Sequence, residues 1–341
     1  MINFESDYTE GCIPEILEAL TRTNTEQTSG YGIDPHCQNA AKLIRKACGN
    51  RNVDVHFLVG GTQTNLTVIA SALKPYQGAL CADSGHINVH ETGSIEATGH
   101  KCLPLPSKDG KITAAQIEKA IVDHRNDGNF EHVVEPGMVY ISWPTESGTL
   151  YSRKELTEIS EVCHKYHVPL FVDGARMGYG LCAKACDVTL ADFAKLTDVF
   201  YIGGTKVGAL FGEAVVIVDK ELKKGFRFHM KQRGAMLAKG RMLGIQFEEL
   251  FKEDRYFKIS KNAAECAEMI AKALKKKGYK FAYTPQTNQL FPIMDNEKIA
   301  ELHKEFAFHT FGTVDDTHSI VRFVTSFMTT KENTEKLVNS L

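Results

Sequence analysis

An aspartate and a lysine, each placed after a short apolar run, offer the chemistry of a cofactor that carries an aldehyde. Asp173 follows the apolar segment Val168–Val172, and Lys206 ends the segment Tyr201–Lys206 (YIGGTK). A carboxylate at the carboxyl end of a buried strand can hold a cationic ring nitrogen or a metal. A lysine on a turn of small residues can be partly desolvated, which lowers its pKa and lets its amine react with a carbonyl. Taken singly, a helix-capping aspartate and a surface lysine are the simpler interpretations.

Two further motifs extend this chemistry toward an anionic, aromatic ligand. Gly60–Asn65 (GGTQTN) follows a predicted strand and opens a predicted helix, where free N–H groups attract phosphate and glycines allow close approach. His86, in the segment Asp83–His86, could stack flat on an aromatic ring. Alone, the loop could equally be a glycine turn with a threonine cap, and a core or capping residue is the simpler interpretation of His86. The loop is neither a Walker A sequence nor G-x-G-x-x-G, so a dinucleotide site is poorly supported.

The four motifs together predict pyridoxal 5'-phosphate (PLP). A phosphate loop, a ring-stacking histidine, an aspartate and a lysine occur in that order, each after an apolar run. We therefore expect them at one edge of a sheet. PLP requires an anchor for its phosphate, a carboxylate that keeps its pyridine nitrogen protonated and a lysine for its aldehyde.

Alternating apolar runs and helical patterns predict an α/β sheet covered by helices on both faces. Capping boxes are predicted at Thr113 with Gln116 and at Ser152 with Glu155. The predicted strands cover 53–59, 138–142, 168–172 and 214–219, and the predicted helices cover 64–73, 113–124 and 152–166.

The pattern changes in the last quarter of the chain, where helices precede a few strands. Helical periodicity covers 243–251 and 263–276, and short strands are predicted at 288–293 and 320–325. We therefore divide the chain into a large domain, 1–247, which includes an N-terminal arm, and a smaller C-terminal α+β domain, 248–341. A long helix is expected to join them.

Composition narrows the classes of partner and the compartment. With 40 Lys and Arg against 42 Asp and Glu, the net charge is −2, which favours neither nucleic acid nor an anionic membrane. No apolar run reaches the roughly 18 residues of a membrane span. The nine cysteines lack metal-ligand spacing, so we expect no metal site and a reducing compartment. The first residues lack the pattern of a signal peptide, and we expect a cytoplasmic protein.

The sequence resembles the PLP-dependent low-specificity L-threonine aldolases of the aromatic amino-acid β-eliminating lyase group. The resemblance covers almost the whole chain. It implies the aspartate-aminotransferase-like type I fold, in which the large domain has a mostly parallel seven-stranded sheet covered by helices. The motifs that carry it are FESD (4–7), YGIDP (31–35), GGTQTN (60–65), GHINVHETG (85–93), VDGAR (172–176), GGTK (203–206), KQRGAMLAKG (231–240) and RFVTS (322–326).

The resemblance implies roles for the cofactor side of the site. Lys206 would hold the aldehyde of PLP covalently, and Asp173 would pair with the pyridine nitrogen. His86 would stack on the ring, while Gly61 and Thr62 would bind the phosphate.

The resemblance also implies a substrate side and an oligomer. Arg176 and Arg322 would bind the substrate carboxylate, for which bidentate guanidinium pairing is suited, with help from Ser6. Tyr31 and Lys231, the latter a cofactor ligand, would reach into the site of a neighbouring subunit. A homodimer with shared sites would then be obligatory, and the group is commonly tetrameric.

One position departs from the group's pattern. Many members carry Glu-Asn-Thr-His where this chain has Trp143–Glu146 (WPTE), and the histidine is a candidate for handling the substrate hydroxyl. Glu146 would then be the catalytic base, with a pKa raised by burial, or the proton would pass through water or another histidine such as His90. A polar turn residue is the simpler interpretation of Glu146.

The implied reaction cleaves L-threonine, L-allo-threonine and related β-hydroxy-α-amino acids to glycine and an aldehyde, a step of threonine catabolism. Three alternatives remain. The nearest is a PLP-dependent β-eliminating lyase acting on a cysteine-type or aromatic amino acid. The second is a Rossmann-type oxidoreductase, but this chain lacks the G-x-G-x-x-G motif of that class. The third is a non-catalytic protein with the type I fold, which would not need Lys206, Asp173 and both arginines.

Overall fold

Strands and helices alternate through the first two thirds of the chain, as the apolar periodicity predicts. The computed structural model describes residues 1–341. The strands are β1 (Ile2–Asn3), β2 (Asp54–Leu58), β3 (Gln77–Ala82), β4 (Lys101–Leu105), β5 (Glu135–Ser142), β6 (Leu170–Asp173), β7 (Val199–Gly203), β8 (Glu213–Ile217), β9 (Gln289–Leu290), β10 (Ile293–Asp295), β11 (Phe306–Ala307), β12 (His309–Thr313) and β13 (His318–Val324).

Helices connect most of these strands. They are α1 (Pro14–Arg22), α2 (Pro35–Ala47), α3 (Gly61–Ala72), α4 (His86–Val89), α5 (Ala114–Asn126), α6 (Arg153–Tyr166), α7 (Met177–Leu181), α8 (Leu190–Leu196), α9 (Lys220–Lys223), α10 (Phe226–Gln232), α11 (Arg241–Phe251), α12 (Arg255–Lys276), α13 (Asn296–Leu302) and α14 (Lys331–Ser340). Three short 3₁₀ helices lie at Glu96–Thr98, Phe130–His132 and Lys252–Asp254.

The large sheet has seven strands in the order β2-β8-β7-β6-β5-β3-β4. Strands β4, β3, β5, β6 and β7 run parallel to one another, and β8 is antiparallel to both β2 and β7. The predicted mostly parallel seven-stranded sheet is therefore confirmed. Because β8 is inserted antiparallel, its first residue lies at the edge where the parallel strands end.

Both faces of this sheet are covered, which explains why its strands read as continuous apolar runs. Val172 belongs to a core cluster of 44 buried residues on one face, and its neighbour Phe171 belongs to a cluster of 19 on the other. The two predicted capping boxes, at Thr113 and Ser152, are present and begin α5 and α6.

Several boundaries differ from the predictions. Helix α3 begins at Gly61 rather than Thr64, since Gly61, Thr62 and Gln63 form its first turn and Gly60 is the extended residue before it. Helix α12 begins at Arg255 rather than residue 263, because buried Tyr256 and Ser260 continue its apolar face. Strand β12 was not predicted because it is an edge strand whose residues are mostly exposed, so it carries no apolar pattern.

The C-terminal part is a smaller α+β unit, and the N-terminal arm packs with it. Strand β13 pairs with β10, β12 and β9, all antiparallel. Strand β1 runs parallel to β11, and Phe4 is fully buried in the third core cluster with residues of the C-terminal part. Helix α11 runs across the predicted 247/248 boundary, which stays a prediction.

Two global observations complete the fold. None of the helices combines the length and the apolar character needed to cross a lipid bilayer. All nine cysteines are free thiols.

Candidate active site

A pocket of about 240 Å³ lies at the edge where the parallel strands end. The GGTQTN loop, His86, Asp173 and Lys206 each lie at or after the end of a strand at this edge, so the topology brings these four motifs together. The sequence-predicted residues that line the pocket are Gly61, Thr62, His86, Glu146, Asp173, Arg176 and Lys206. Ser6, Tyr31, Lys231 and Arg322 are not among its lining residues.

Two glycines allow the Asp173 turn and the Lys206 turn to pack against each other. A Cβ on Gly174 would lie 1.9 Å from the carbonyl oxygen of Tyr201, and one on Gly203 would lie 2.2 Å from that of Ala175. The N–H of Gly203 donates to the carbonyl of Gly174 at 2.9 Å. These motifs therefore contain glycine because no side chain fits between the two turns.

Asp173 is held as an acceptor by three side chains and one backbone N–H. The hydroxyl of Tyr201 donates to Oδ1 at 2.5 Å, and the hydroxyl of Tyr140 donates to Oδ2 at 2.6 Å. Asn65 Nδ2 and Ala175 N donate at 3.0 Å. Burial acts to raise the pKa of Asp173, but His86 and the two tyrosine hydroxyls outweigh it and lower that pKa. The carboxylate is thus kept ionised, as a partner for a protonated ring nitrogen must be.

The amine of Lys206 is the nucleophile that the pocket offers. Burial, and then the positive charge of Arg176, lower the pKa of Lys206, while Asp7 and Asp173 act in the opposite direction. A lowered pKa increases the fraction of neutral amine that can attack a carbonyl. Nζ lies 5.9 Å from the ring centre of Tyr8.

Glu213 is a second buried carboxyl group beside the lysine, at the start of the antiparallel strand β8. It pairs with both Leu58 and Gly203 in the sheet register, and the N–H of Gly204 donates to its Oε2 at 3.1 Å. Burial raises the pKa of Glu213 to about 8.

The loop before α3 is an open anion site at the pocket wall. Gly60 precedes the helix and provides no side-chain cap, so the first N–H groups of this 12-residue helix have no side-chain acceptor there. Free N–H groups and the helix dipole both favour a phosphate at such a position. Gly61 and Thr62 lie where the sequence predicts the phosphate.

Glu146 presents one free oxygen within the pocket wall. Its Oε1 accepts hydrogen bonds from the backbone N–H of His86 at 2.9 Å and from the hydroxyl of Ser142 at 2.6 Å. Its Oε2 is buried and has no partner. Burial raises the pKa of Glu146, and Asp173 adds to the rise, while the Ser142 hydrogen bond opposes it. A buried carboxyl group with an unpartnered oxygen is placed to exchange a proton with a ligand.

The two predicted carboxylate-binding arginines differ in what already holds them. Asp7 accepts from Arg176 Nε at 2.7 Å and from Nη2 at 3.0 Å, a bidentate ion pair that occupies one edge of the guanidinium. Arg322 is freer, since Nη2 donates to the carbonyl of Glu5 at 3.2 Å and its buried Nε has no partner. The hydroxyl of Ser6 is also buried without a partner.

Tyr31 and Lys231 lie together, away from this pocket. Lys231 Nζ is 4.6 Å from the ring centre of Tyr31, and Tyr31 lines a different cavity that includes Arg227. Their predicted contact with the site of a neighbouring subunit stays a prediction. His90, the alternative base, lies next to His86, with ring centres 5.6 Å apart, but it does not line the pocket.

Sequence reasoning missed several residues that hold the site. Tyr140 and Tyr201 lie inside strands, where an aromatic residue reads as ordinary core. Glu213 opens a strand that was predicted to begin one residue later. Asp7 and Asn65 lie within the FESD and GGTQTN segments, so their polar character beside the motifs was the available signal.

The residues present fit PLP. The uncapped helix start suits its phosphate, the ionised and buried Asp173 suits its ring nitrogen, and the desolvated Lys206 amine suits its aldehyde. No group of three or more His, Cys, Asp or Glu side chains is arranged to hold a metal ion.

Comparison with known proteins gives the same assignment. The family model described as "Beta-eliminating lyase" matches residues 3–297. The low specificity L-threonine aldolase of a Pseudomonas species is 28% identical over 312 residues, which cover 90% of this chain and 89% of that protein.

Solved structures extend the comparison to the fold. The threonine aldolase of Leishmania major is 43% identical and superposes with a TM-score of 0.96, covering 99% of this chain and 98% of that one. An aspartate aminotransferase of Thermus thermophilus, 13% identical, superposes with a TM-score of 0.73 over 100% of this chain and 90% of that one. The predicted type I fold of PLP enzymes is therefore confirmed.

Proposed function

Because the chain belongs to the beta-eliminating lyase family, we propose that it is a PLP-dependent aldolase that cleaves L-threonine, L-allo-threonine and related β-hydroxy-α-amino acids. Cleavage of the Cα–Cβ bond of threonine releases acetaldehyde from Cβ and glycine from Cα. The protein would thereby act in threonine catabolism and glycine formation.

One observation carries the choice of an aldolase: the unpartnered buried oxygen of Glu146 shares a pocket with Lys206 and Asp173. Breaking the Cα–Cβ bond requires a base for the β-hydroxyl proton. A carboxyl group whose pKa is raised by burial suits that task, because it is a stronger base than an ordinary carboxylate.

The residues of this chain divide the work as follows. Arg176 and Arg322 bind the substrate carboxylate, and Asp7 keeps the Arg176 guanidinium in place. Glu146 Oε2 accepts the proton of the β-hydroxyl as the aldehyde leaves. Lys206 returns a proton to Cα from its ammonium form, and the proton that Glu146 accepted passes to the Lys206 amine, so that the protons balance. When bound, PLP supplies an aldehyde for the substrate amine and an electron-accepting ring for the bond pair released at Cα.

The direct test is the set of products formed by purified, PLP-loaded protein. With L-threonine we expect acetaldehyde and glycine in equal amounts, and Lys206→Ala should form neither above background. Formation of a 2-oxo acid and ammonia, from threonine or from a cysteine-type amino acid, would instead identify the β-eliminating alternative that the family model also includes. Colourless protein that cannot be loaded with PLP would contradict both.

The active enzyme is proposed to be a homodimer with shared sites, which pairs into a tetramer. Support comes from the resemblance to a commonly tetrameric group and from the exposed apolar side chains near the Tyr31–Lys231 pair. Ile33, two positions after Tyr31, is 56% exposed, and Phe228, three positions before Lys231, is 82% exposed. Exposed large apolar side chains can mark an interface.

A cytoplasmic location is proposed as well. The support is the set of nine cysteines, all free thiols, which suits a reducing compartment.

A further inference from the structure

A hydrogen-bonded network leads from the pocket into the protein behind it and centres on Glu91, whose side chain is fully buried. Glu91 Oε1 accepts from Asn65 Nδ2 at 2.7 Å and lies 2.7 Å from His86 Nδ1. Ser94 Oγ donates to Oε2 at 2.7 Å. Asn65 Nδ2 also donates to Asp173 Oδ2 at 3.0 Å, so one amide nitrogen joins two buried carboxyl groups.

The network assigns the tautomer of His86. The amide nitrogen of Asn65 can only donate, and the hydroxyl of Ser94 points to the other oxygen, so Glu91 is the acceptor throughout. His86 Nδ1 therefore carries a hydrogen. Nε2 makes no hydrogen bond with the protein, and the side chain, 32% exposed, lines the pocket. Nε2 is thus the nitrogen available to a ligand.

We propose that Glu91 is a positioning residue for the reaction: it fixes His86 with Nε2 toward the pocket and, through Asn65, ties the histidine to the carboxylate of Asp173. The proposal rests on the proposed function in that His86 contacts the cofactor in this pocket. Glu91 itself does not line the pocket, so it acts through His86.

The charges around His86 make the network sensitive to Glu91. Burial acts to lower the pKa of His86, but the hydrogen bond to Glu91 and the charge of Asp173 outweigh it and raise that pKa. Lys206 acts in the opposite direction, and His90 and Glu146 are the remaining titratable neighbours. Removing the charge of Glu91 should therefore lower the pKa of His86.

The position of Asn65 follows from the same geometry. An aspartate there would place a third carboxylate against two others, whereas the amide donates to both. The Oδ1 atom of Asn65 is buried and has no hydrogen-bond partner, whereas its Nδ2 donates to both carboxyl groups.

The test is to measure the protonation of His86 in the apoprotein by NMR, with ¹⁵N-labelled histidine. The His86 signals are identified by their loss in His86→Gln. In the unmodified protein at high pH we expect the Nδ1–H tautomer. In Glu91→Gln the titration midpoint of His86 should fall by about one pH unit or more, the usual effect of losing a hydrogen-bonded carboxylate. The matched control Glu96→Gln removes the same charge from an exposed side chain nearby and should leave the midpoint unchanged.

The pH dependence of the absorbance of bound PLP is a second readout. Its midpoint should move in Glu91→Gln and stay in Glu96→Gln. An Nε2–H tautomer in the unmodified protein would overturn the proposal, and this measurement does not require Glu91→Gln to fold. An unchanged His86 midpoint in folded Glu91→Gln would overturn it as well. Because the NMR readout does not require turnover, a protein that shows the expected tautomer but releases no aldehyde would contradict the proposed function and not the role of Glu91.

Discussion

Glu146 is the buried carboxyl group that we propose as the base, at a position where the resemblance to the threonine aldolases implies a histidine in many members. A carboxylate differs from imidazole in that its ordinary pKa lies well below neutral pH, so it is a poor base unless its surroundings raise that pKa. Burial provides the rise here, and Ser142 limits it by donating to Oε1. The pair therefore sets the pH at which the base becomes available.

Two substitutions at this pair should separate loss of the base from a shift of its pKa. Glu146→Gln keeps the shape and removes the base, so kcat for threonine cleavage should fall by about 10²–10⁴-fold, with little change in PLP loading. Ser142→Ala removes the hydrogen bond that lowers the pKa of Glu146. Because that pKa then rises further, the acidic limb of the kcat–pH profile should move to higher pH.

The measurements are aldehyde release against pH and the absorbance of bound PLP. Near-normal kcat in Glu146→Gln would move the role of base to water or His90. An acidic limb that moves to lower pH in Ser142→Ala would contradict the assigned hydrogen bond.

At this scale, the sequence predicts residues that belong to compact motifs. Lys206 and Asp173 stand next to glycines and after apolar runs, and the structure places both in one pocket. The sequence could not assign Tyr140 and Tyr201 to the site, because only the fold shows that both hydroxyls donate to Asp173. Arg176 shows the same limit, since its bidentate partner Asp7 lies 169 positions away in the chain.

Among the helices and strands, the sequence predicts where the strands lie better than it predicts their direction in the sheet. The capping boxes and apolar runs fix α5, α6 and β6 because these signals are local. The antiparallel direction of β8 has no local signal, since a strand buried on both faces reads alike in either direction. That direction is what brings Glu213 to the site.

A histidine clamp between elements should make stability depend on pH. His36, in α2, lies 2.8 Å from Glu248 in α11 and 2.9 Å from Glu26 after α1. Burial acts to lower the pKa of His36, but the two glutamates outweigh it and raise that pKa. The stabilisation is therefore complete below the unfolded-state pKa of about 6.5 and is lost as pH rises through the higher folded-state pKa.

Thermal unfolding of His36→Gln tests this clamp. The difference in Tm from the unmodified protein should be larger near about pH 6 than near about pH 9. Lys119→Gln, which removes an exposed ion pair with Asp123, should change Tm little at either pH. A Tm difference for His36→Gln that grows toward alkaline pH would contradict the sign of the shift.

At the scale of the whole molecule, the N-terminal arm joins the C-terminal unit to the active site. Phe4 is fully buried in the C-terminal core, and Asp7, three positions later, holds Arg176. Phe4→Ala should lower the free energy of unfolding by about 3–5 kcal/mol and raise KM for threonine, because the arm that orders Asp7 is loosened.

Denaturant unfolding and steady-state kinetics measure the two effects. Leu17→Ala, at a side chain that is 52% exposed, is the control and should change neither by much. A destabilised Phe4→Ala protein with unchanged KM would show that the arm supports the fold without influencing the site.

Subunit hybrids test whether sites are shared. If Lys231 serves the neighbouring site, a dimer of one Lys206→Ala chain and one Lys231→Ala chain has one site with both defects and one with none. Mixing the two inactive variants under conditions that exchange subunits should therefore restore aldehyde release. If hybrids form, as shown with differently tagged chains, and activity does not recover, then each site does not take Lys231 from the neighbouring chain.

Lys206 is assigned as the one amine that holds PLP in this pocket. Reduction of the PLP-loaded protein with borohydride makes that bond permanent, and mass spectrometry of the digested protein then locates it among all lysines. We expect the label on the peptide that contains Lys206, and its absence when excess L-threonine is present during reduction. A label on another lysine, or no label on a yellow protein, would show that the assignment of Lys206 is wrong.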